Sequence, residues 1–399
     1  MNDMIHETAL PRIDIKKGHD RRVLKGHPWI FSNELAASPA DRVPGELVRV
    51  HDSKGRFLGT GYVNPHSLIA VRMLRRSEGA IDEQYLAGRI DTALALRDRI
   101  YPGEDAVRLI YSESDGLPGL VVDRYGDHLA VQVTTAGMEL LLPGILDHLE
   151  MRTGARCIVA RNDIGIRKLE GLEECVEILR GEVDPALEVS YEGLQLNVDL
   201  LGGQKTGLFL DQRDNQRTLL SWCSRGEVLD CYCYQGIWAL QALRYGASQV
   251  TGIDSSADAL TRAAAHADAN DLADRAEWVR DEVLEALKGF RAEGRTFDFV
   301  IVDPPAFVRS RKHLKAGLRG YLDLNRKALE TVSPGGILVT CSCSQHVQPE
   351  AFLETVSHAA GLAGRHVRVL TALGQSRDHP PLLAAPETSY LKCLALHVE

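Results

Sequence analysis

Between residues 227 and 340 one pattern repeats: a short run of buried-type residues closes on a polar or acidic one, and a stretch with helical spacing follows. The runs lie at 227–229, 249–253, 297–302 and 336–340, a further strand is expected at 277–280, and helices are expected at 257–270 and 320–332 among the connections. Strands that alternate with helices build a doubly wound parallel sheet with helices on both faces. Ligands of such a sheet bind beyond the carboxyl ends of its strands. An α/β domain is expected here, and the residues that close each strand are the first candidates for chemistry.

Upstream the pattern differs. To about residue 78, short alternating runs are broken by turn residues such as Ser53, Lys54 and Gly55, and 71–74 reads as a closing strand. This predicts a small β-rich unit. From 82 to 100 the period shifts, with Leu86, Ile90, Leu94 and Ile100 at helical spacing. Strands at 106–111, 119–123, 129–134 and 157–160, with a helix at 138–152, predict a second, α+β domain closing near 190. The expected domains are 1–78, 79–190 and 191–399, in keeping with the two or three that 399 residues predict.

Hydrophobic residues make up 44% and charged residues 25%, which excludes a wholly disordered chain and supplies a large core. No stretch approaches the ~20 apolar residues of a membrane helix. The opening MNDMIHETALPRIDIKKG lacks the apolar centre of a secretory signal. Eight cysteines without such a signal predict reduced thiols and a cytoplasmic protein. The formal net charge of −9 argues against coating nucleic acid by bulk attraction. The charge is uneven, however. Residues 11–76 carry thirteen Lys/Arg against six Asp/Glu, and residues 309–327 carry seven against Asp323 alone. Two basic islands on an acidic chain suit local phosphate contacts, and two solvated surface segments balanced elsewhere would give the same count.

The first strand of the repeating pattern runs into Asp230-Cys231-Tyr232-Cys233-Tyr234-Gln235-Gly236 and then a helix. A glycine there lets the backbone approach a cofactor, but the GxGxxG fingerprint is absent, which disfavours a nicotinamide enzyme. The second strand ends at Asp254, about 18 residues past that glycine, where an acid suits ribose hydroxyls. Asp254 or Ser255 would equally open the next helix as its N-cap. Asp281 closes the third strand and suits an adenine amino group or, again, a helix cap. The fourth strand closes on Asp303-Pro304-Pro305-Ala306-Phe307, in which two prolines stiffen a loop that can hold a carboxylate against the amino edge of a base. The fifth runs into Cys341-Ser342-Cys343-Ser344, and alternation places both cysteines on one side of an extended segment. Either is a candidate nucleophile as its thiolate. Cys231, Cys233, Cys341 and Cys343 form two C-x-C pairs whose spacing fits no common zinc site, so no metal is expected.

At these residues the chain resembles class I S-adenosylmethionine (SAM) methyltransferases, and more narrowly the RlmI/RlmO-type 23S rRNA (cytosine-5) methyltransferases. The resemblance covers nearly the whole chain. It rests on Gly26-His27-Pro28-Trp29-Ile30-Phe31, similar to the opening of that family's PUA domain, and on Asp115-Gly116-Leu117-Pro118-Gly119-Leu120 through Tyr125, similar to its central domain. It continues through Gly203-Gln204-Lys205-Thr206-Gly207-Leu208-Phe209-Leu210-Asp211-Gln212-Arg213, the Asp303 and Cys341–Cys343 motifs, and the tail from Asp378-His379-Pro380 to Lys392. One departure stands at the glycine turn. The family's usual aromatic-Ser-Tyr-Thr-Gly-Gly run is here Tyr232-Cys233-Tyr234-Gln235-Gly236-Ile237, without the second glycine.

The resemblance implies a Rossmann-like methyltransferase domain preceded by a β-rich PUA domain and a small α+β domain. It implies SAM as cofactor and 23S rRNA, or a large-subunit assembly intermediate, as partner, with no membrane. Oligomeric state is not readable, and a homodimer stays open. The implied cofactor set is Gln212, Asp230, Tyr232, Tyr234, Gly236, Asp254, Ser255, Asp281 and Asp303. The implied catalytic set is Cys343 as nucleophile, Cys341 as its reserve, and Asp303 on the cytosine ring. Some related RNA cytosine methyltransferases carry a second cysteine after the two prolines; Ala306 stands there, which leaves the base that removes the C5 proton unassigned. Two other readings stay open: N-methylation of a guanine or adenine in rRNA, and a non-catalytic RNA-binding factor with a degenerate methyltransferase domain.

Overall fold

The computed structural model describes residues 10–203, 206–223 and 225–399. They form two compact units. The first takes the chain up to Val189 together with Val198–Leu210 and Asp378–Thr388; the second takes Ser190–Asn197, Asp211–Arg377 and Ser389–Glu399. The two returning segments are tied into the first unit, where the amide of Leu208 donates to the Tyr125 hydroxyl at 3.0 Å and Arg97 donates to the carbonyl of Asp378 at 2.8 Å.

In the first unit, β1 (Arg12–Asp14), α1 (Arg21–Leu24), β2 (Trp29–Ile30), β3 (Leu47–His51), β4 (Phe57–Val63) and β5 (Val71–Arg75) give a five-stranded sheet of order β1-β3-β4-β5-β2. Ile13, Ile15, Val48, Val50, Val63 and Val71 are its core. A second sheet follows from α2 (Glu83–Ile100), β6 (Ala106–Tyr111), β7 (Leu120–Tyr125), β8 (His128–Val133), α3 (Ala136–Thr153), β9 (Cys157–Arg161), α4 (Ile166–Leu169) and β10 (Val176–Arg180). Its order is β10-β9-β8-β7-β6. Helix α2 starts where Asp82 accepts the amide of Tyr85, and its Leu86, Ile90 and Leu94 are buried, as their spacing predicts.

The N-terminal basic island is partly spent inside this unit. Arg72 is buried between Glu113 (3.1 Å) and Glu170 (3.4 Å), and Arg12, Arg49 and Arg56 pair with Asp14, Glu78 and Asp52. Lys16, Lys17, Arg21 and Lys25 remain exposed along β1 and α1. Between β6 and β7 the buried carboxylate of Asp115 pairs with buried Arg97 at 2.6 Å and accepts the amide of Tyr111 at 2.6 Å. Removing one partner of such a pair strands the other charge. Asp115→Ala is expected to destabilise the first unit by about 3–5 kcal/mol, read as a lowered urea midpoint.

The hairpin β11 (Glu188–Tyr191) and β12 (Leu194–Asn197) precedes the second unit's α5 (Arg213–Leu219). Then come β13 (Glu227–Cys231), α6 (Ile237–Arg244), β14 (Gln249–Asp254), α7 (Ala257–Ala269), β15 (Ala276–Arg280), α8 (Val283–Glu293) and β16 (Phe297–Val302). The chain continues as α9 (Leu314–Thr331), β17 (Val332–Ser342), α10 (Pro349–Ala363), β18 (Val367–Leu373) and β19 (Lys392–Val398). The seven strands order β15-β14-β13-β16-β17-β19-β18. The first five are parallel, whereas β19 runs antiparallel to both β17 and β18. The sheet is thus parallel where the repeating pattern predicts it, and reverses at the edge the pattern does not cover. The crossover through α10 leaves β17 and β18 one strand apart, and β19 fills the gap. Leu229, Ile253, Val300, Val302 and Leu338 on the strands pack with Leu287, Tyr321, Leu324 and Phe352 from the helices. Among the described residues no helix is long and apolar enough to cross a membrane.

Candidate active site

The carboxyl ends of β13, β14 and β15 bring Asp230, Asp254 and Asp281 to one edge. Asp230 is fully buried. Its Oδ2 accepts the amide of Ala239 at 3.1 Å, and its Oδ1 has no hydrogen-bond partner among the described residues. Burial first, then the charge of Asp303, holds its carboxyl well above the usual range. In the turn that follows, Tyr232, Tyr234 and Gly236 all take left-handed backbone, with φ of 63°, 50° and 77°. At Gly236 a Cβ would stand 2.4 Å from the Trp278 ring, so this position needs glycine on two counts. Ile237, where the family's second glycine would fall, is the first residue of α6 and is not among the left-handed residues. The backbone does not call for glycine there.

Asp254, half-buried, accepts the amide of Tyr234 on Oδ2 (3.0 Å) and that of Ser256 on Oδ1 (2.9 Å), so it ties the first turn to the second. The expected N-cap is corrected: Ser256, not Asp254 or Ser255, caps α7, its Oγ accepting the amide of Ala259 at 3.2 Å. Asp254 is still in the strand, so the cap falls two residues on. Ser255 is exposed. Asp281 is also exposed; its amide donates to the Asp254 carbonyl at 3.3 Å, and Glu282 rather than Asp281 holds the cap position of α8. A tight turn beside buried and half-buried carboxylates fits a ligand rich in hydroxyl and amino donors, as the adenosine and amino-acid ends of SAM are. The unpartnered Asp230 Oδ1 is the observation that makes the fit specific.

On the other side of β13, the loop after β16 meets the end of β17. Asp303 Oδ2 accepts from Gln212 Nε2 at 2.9 Å and from Trp238 Nε1 at 3.3 Å. The Cys343 thiol lies 3.7 Å from the carbonyl of Pro304, so the carboxylate loop and the thiol share one site. Ser344 holds the two together: its Oγ accepts the amide of Val308 at 3.0 Å and bonds the Tyr321 hydroxyl at 2.9 Å. Phe307 stacks on Tyr321 with ring centroids 4.7 Å apart. Gly317 makes room on α9, since a Cβ there would meet Val308 at 2.2 Å.

The two cysteines are not equivalent. Strand β17 ends at Ser342, so the alternation that would put them on one side stops before Cys343. Cys341 is fully buried opposite Cys393. A hydrogen bond with Cys393 and burial both push its thiol well up. Cys343 is half-buried. Of the C-terminal basic island, Arg309, Arg311, Lys312, Lys315 and Arg319 are exposed, while Arg326 and Lys327 pair with Asp323. Gln204 and Lys205 of the run before α5 lie outside the described residues. Trp238 and Tyr321 join the site without having been singled out from sequence. Trp238 stands two residues past the glycine turn, a position from which its reach to Asp303 could have been suspected.

A seven-stranded sheet of this order, with a tight turn closing its first strand and an acid its second, defines the Rossmann-like SAM-dependent methyltransferases. The comparisons agree and go further. A family model for an S-adenosylmethionine-dependent methyltransferase matches residues 152–380, more than half of the chain, and one for a PUA-like domain matches residues 13–76. The ribosomal RNA large subunit methyltransferase I of Cronobacter sakazakii is 37% identical over 392 residues, covering 97% of this chain and 99% of the relative. That of Klebsiella pneumoniae subsp. pneumoniae is 37% identical over 402 residues, covering 98% and 99%. A solved Streptococcus mutans protein put forward as a SAM-dependent methyltransferase shares the fold, with a TM-score of 0.84 at 20% identity over 97% of this chain and 100% of its own. The chain belongs to the ribosomal RNA large subunit methyltransferase I family.

Proposed function

We propose that this chain methylates C5 of a cytosine in 23S ribosomal RNA, in the cytoplasm, through a cysteine-linked intermediate. The observation that carries the reading is the pairing of a half-buried Cys343 thiol with the Asp303 loop, while Cys341 is sealed in the core. When bound, SAM supplies an electrophilic methyl group. Its binders in this reading are Gln212, Asp230, Tyr232, Tyr234, Gly236, Asp254, Ser255, Asp281 and Asp303.

C5 of cytosine is a weak nucleophile until C6 is attacked. Cys343 as thiolate forms the S–C6 bond, and the C5–C6 π pair becomes available at C5, which takes the methyl group. Asp303, fixed by Gln212 and Trp238, holds the N3/N4 edge of the ring and stabilises the charge that develops there. The C5 proton then leaves to a base, the C6–S bond breaks, and its electron pair returns to sulfur. Ala306 has no group that could take that proton. The target base must leave its stack to reach the thiol. In this reading residues 1–78 are the PUA RNA-binding domain, 79–190 the central domain and 191–399 the methyltransferase domain. Exposed Lys16, Lys17, Arg21 and Lys25, with Arg309, Arg311, Lys312, Lys315 and Arg319, contact RNA phosphates.

The test is methyl transfer to unmodified 23S rRNA, offered both naked and as large-subunit particles, with the product nucleoside identified by mass spectrometry. 5-Methylcytidine is the expected product. A methylated guanosine or adenosine would remove the nucleophilic role of Cys343. Tight SAM binding with no transfer to either substrate would overturn the substrate class.

A further inference from the structure

We propose that Asn215 is a positioning residue that sets which end of the Gln212 amide meets Asp303, and so holds the Asp303 carboxylate ready for the base; this rests on the reading of Asp303 as the group on the cytosine ring. Asn215 lies in the first turn of α5, three residues past Gln212, and the two residues are 1% and 3% exposed. Asn215 Nδ2 donates to Gln212 Oε1 at 2.6 Å, and Gln212 Nε2 donates to Asp303 Oδ2 at 2.9 Å. The three groups form one chain of hydrogen bonds, amide to amide to carboxylate.

The chain has a direction. A glutamine amide is nearly symmetric in shape, so packing alone does not choose between its oxygen and its nitrogen. The Asp303 end is fixed independently, because the Trp238 indole is a donor with no acceptor and bonds the same Oδ2 at 3.3 Å. With that oxygen an acceptor, a reversed Gln212 would set two acceptors face to face. The far end of the amide must then accept, and Asn215 supplies the donor there. Without it a buried carbonyl oxygen is stranded, and the amide is released to turn its nitrogen away from Asp303. The start of α5 does not depend on this bond: the amide of Asp214 donates to Ser376 Oγ at 2.9 Å, and the amide of Ser376 donates to the Asp211 carbonyl at 2.9 Å. Leucine has nearly the shape of asparagine, so Asn215→Leu removes the donor and keeps the packing.

The experiment is single-turnover methyl transfer to 23S rRNA by the full-length protein, run as a double-mutant cycle of Asn215→Leu with Gln212→Met. SAM is held saturating, so a change in its affinity does not enter the rate. Asn215→Leu alone is expected to slow transfer about tenfold, with the RNA concentration for half-maximal rate within about twofold of wild type. In the Gln212→Met background the same substitution should cost less than about twofold, because no amide is left to orient. Equal costs in the two backgrounds overturn the proposal, since a merely structural asparagine would add its loss independently. Asn215→Asp gives a second reading that does not need the leucine variant to fold. The new carboxyl donates when protonated and accepts when ionised, so the rate relative to wild type is expected to fall about tenfold as pH rises from about 5.5 to 8.5. A flat ratio overturns the proposal. Asp303→Ala within tenfold of wild type would remove the ring role of Asp303 and the proposal with it, whereas a dead Asp303→Ala beside equal costs in the cycle overturns the proposal alone.

Discussion

Cys343→Ala is expected to lower single-turnover methyl transfer by at least about a thousandfold, while SAM affinity stays within about twofold, measured by calorimetry. The split follows from where the thiol sits. It lies 3.7 Å from the Pro304 carbonyl beyond β16, whereas Asp230, Asp254 and Asp281 stand at the ends of β13, β14 and β15. Removing the sulfur takes away the group that makes C5 nucleophilic and leaves the cofactor edge in place. Cys341→Ala should behave in the opposite way. Its sulfur is buried in the sheet against Cys393, so the cost falls on stability, about 1 kcal/mol for a small core truncation, with turnover retained. Full activity in Cys343→Ala together with loss in Cys341→Ala would move the nucleophile.

Asp303→Ala is expected to lower kcat by about 10²–10³, the effect of removing a preorganised group that meets developing charge. Gln212 and Trp238 both donate to Oδ2, which sets the plane of the carboxylate before any substrate arrives. Asp303→Asn should fall nearly as far, because an amide nitrogen directed at an amino edge repels where a carboxylate accepts. SAM affinity separates two roles for this residue. If it falls in step with kcat in both variants, Asp303 serves the cofactor; if kcat alone falls, it serves the base. Activity within tenfold of wild type in both would overturn either role.

The parallel part of the catalytic sheet was legible because β13, β14, β16 and β17 carry runs of buried-type residues, whereas β15, Ala-Glu-Trp-Val-Arg with no buried residue, was placed by its position in the alternation. The run 297–302 coincides with β16, and 249–253 falls one residue short of β14. The antiparallel pair was not legible. A strand that returns from a long connection has no helix behind it, so it lacks the strand–helix signature that identified the others. At the site, the acids closing the strands are where the pattern placed them, but their local roles were open. In Asp254-Ser255-Ser256 three consecutive residues can cap a helix, and only the backbone decides that Ser256 does. The cysteine pair misled for a similar reason: alternation holds only while the strand lasts, and β17 stops at Ser342. Charge counting overstated the N-terminal island, since a sequence does not tell that Arg72 is buried between two glutamates.

The insertion of β19 between β17 and β18 also bears on truncation of the chain. β17 and β18 belong to one sheet only through residues 392–398, so without those residues each presents an unpaired edge. Unpaired edges of this kind are templates for wrong pairings. A chain truncated before residue 392 would keep both edges open and would therefore be aggregation-prone.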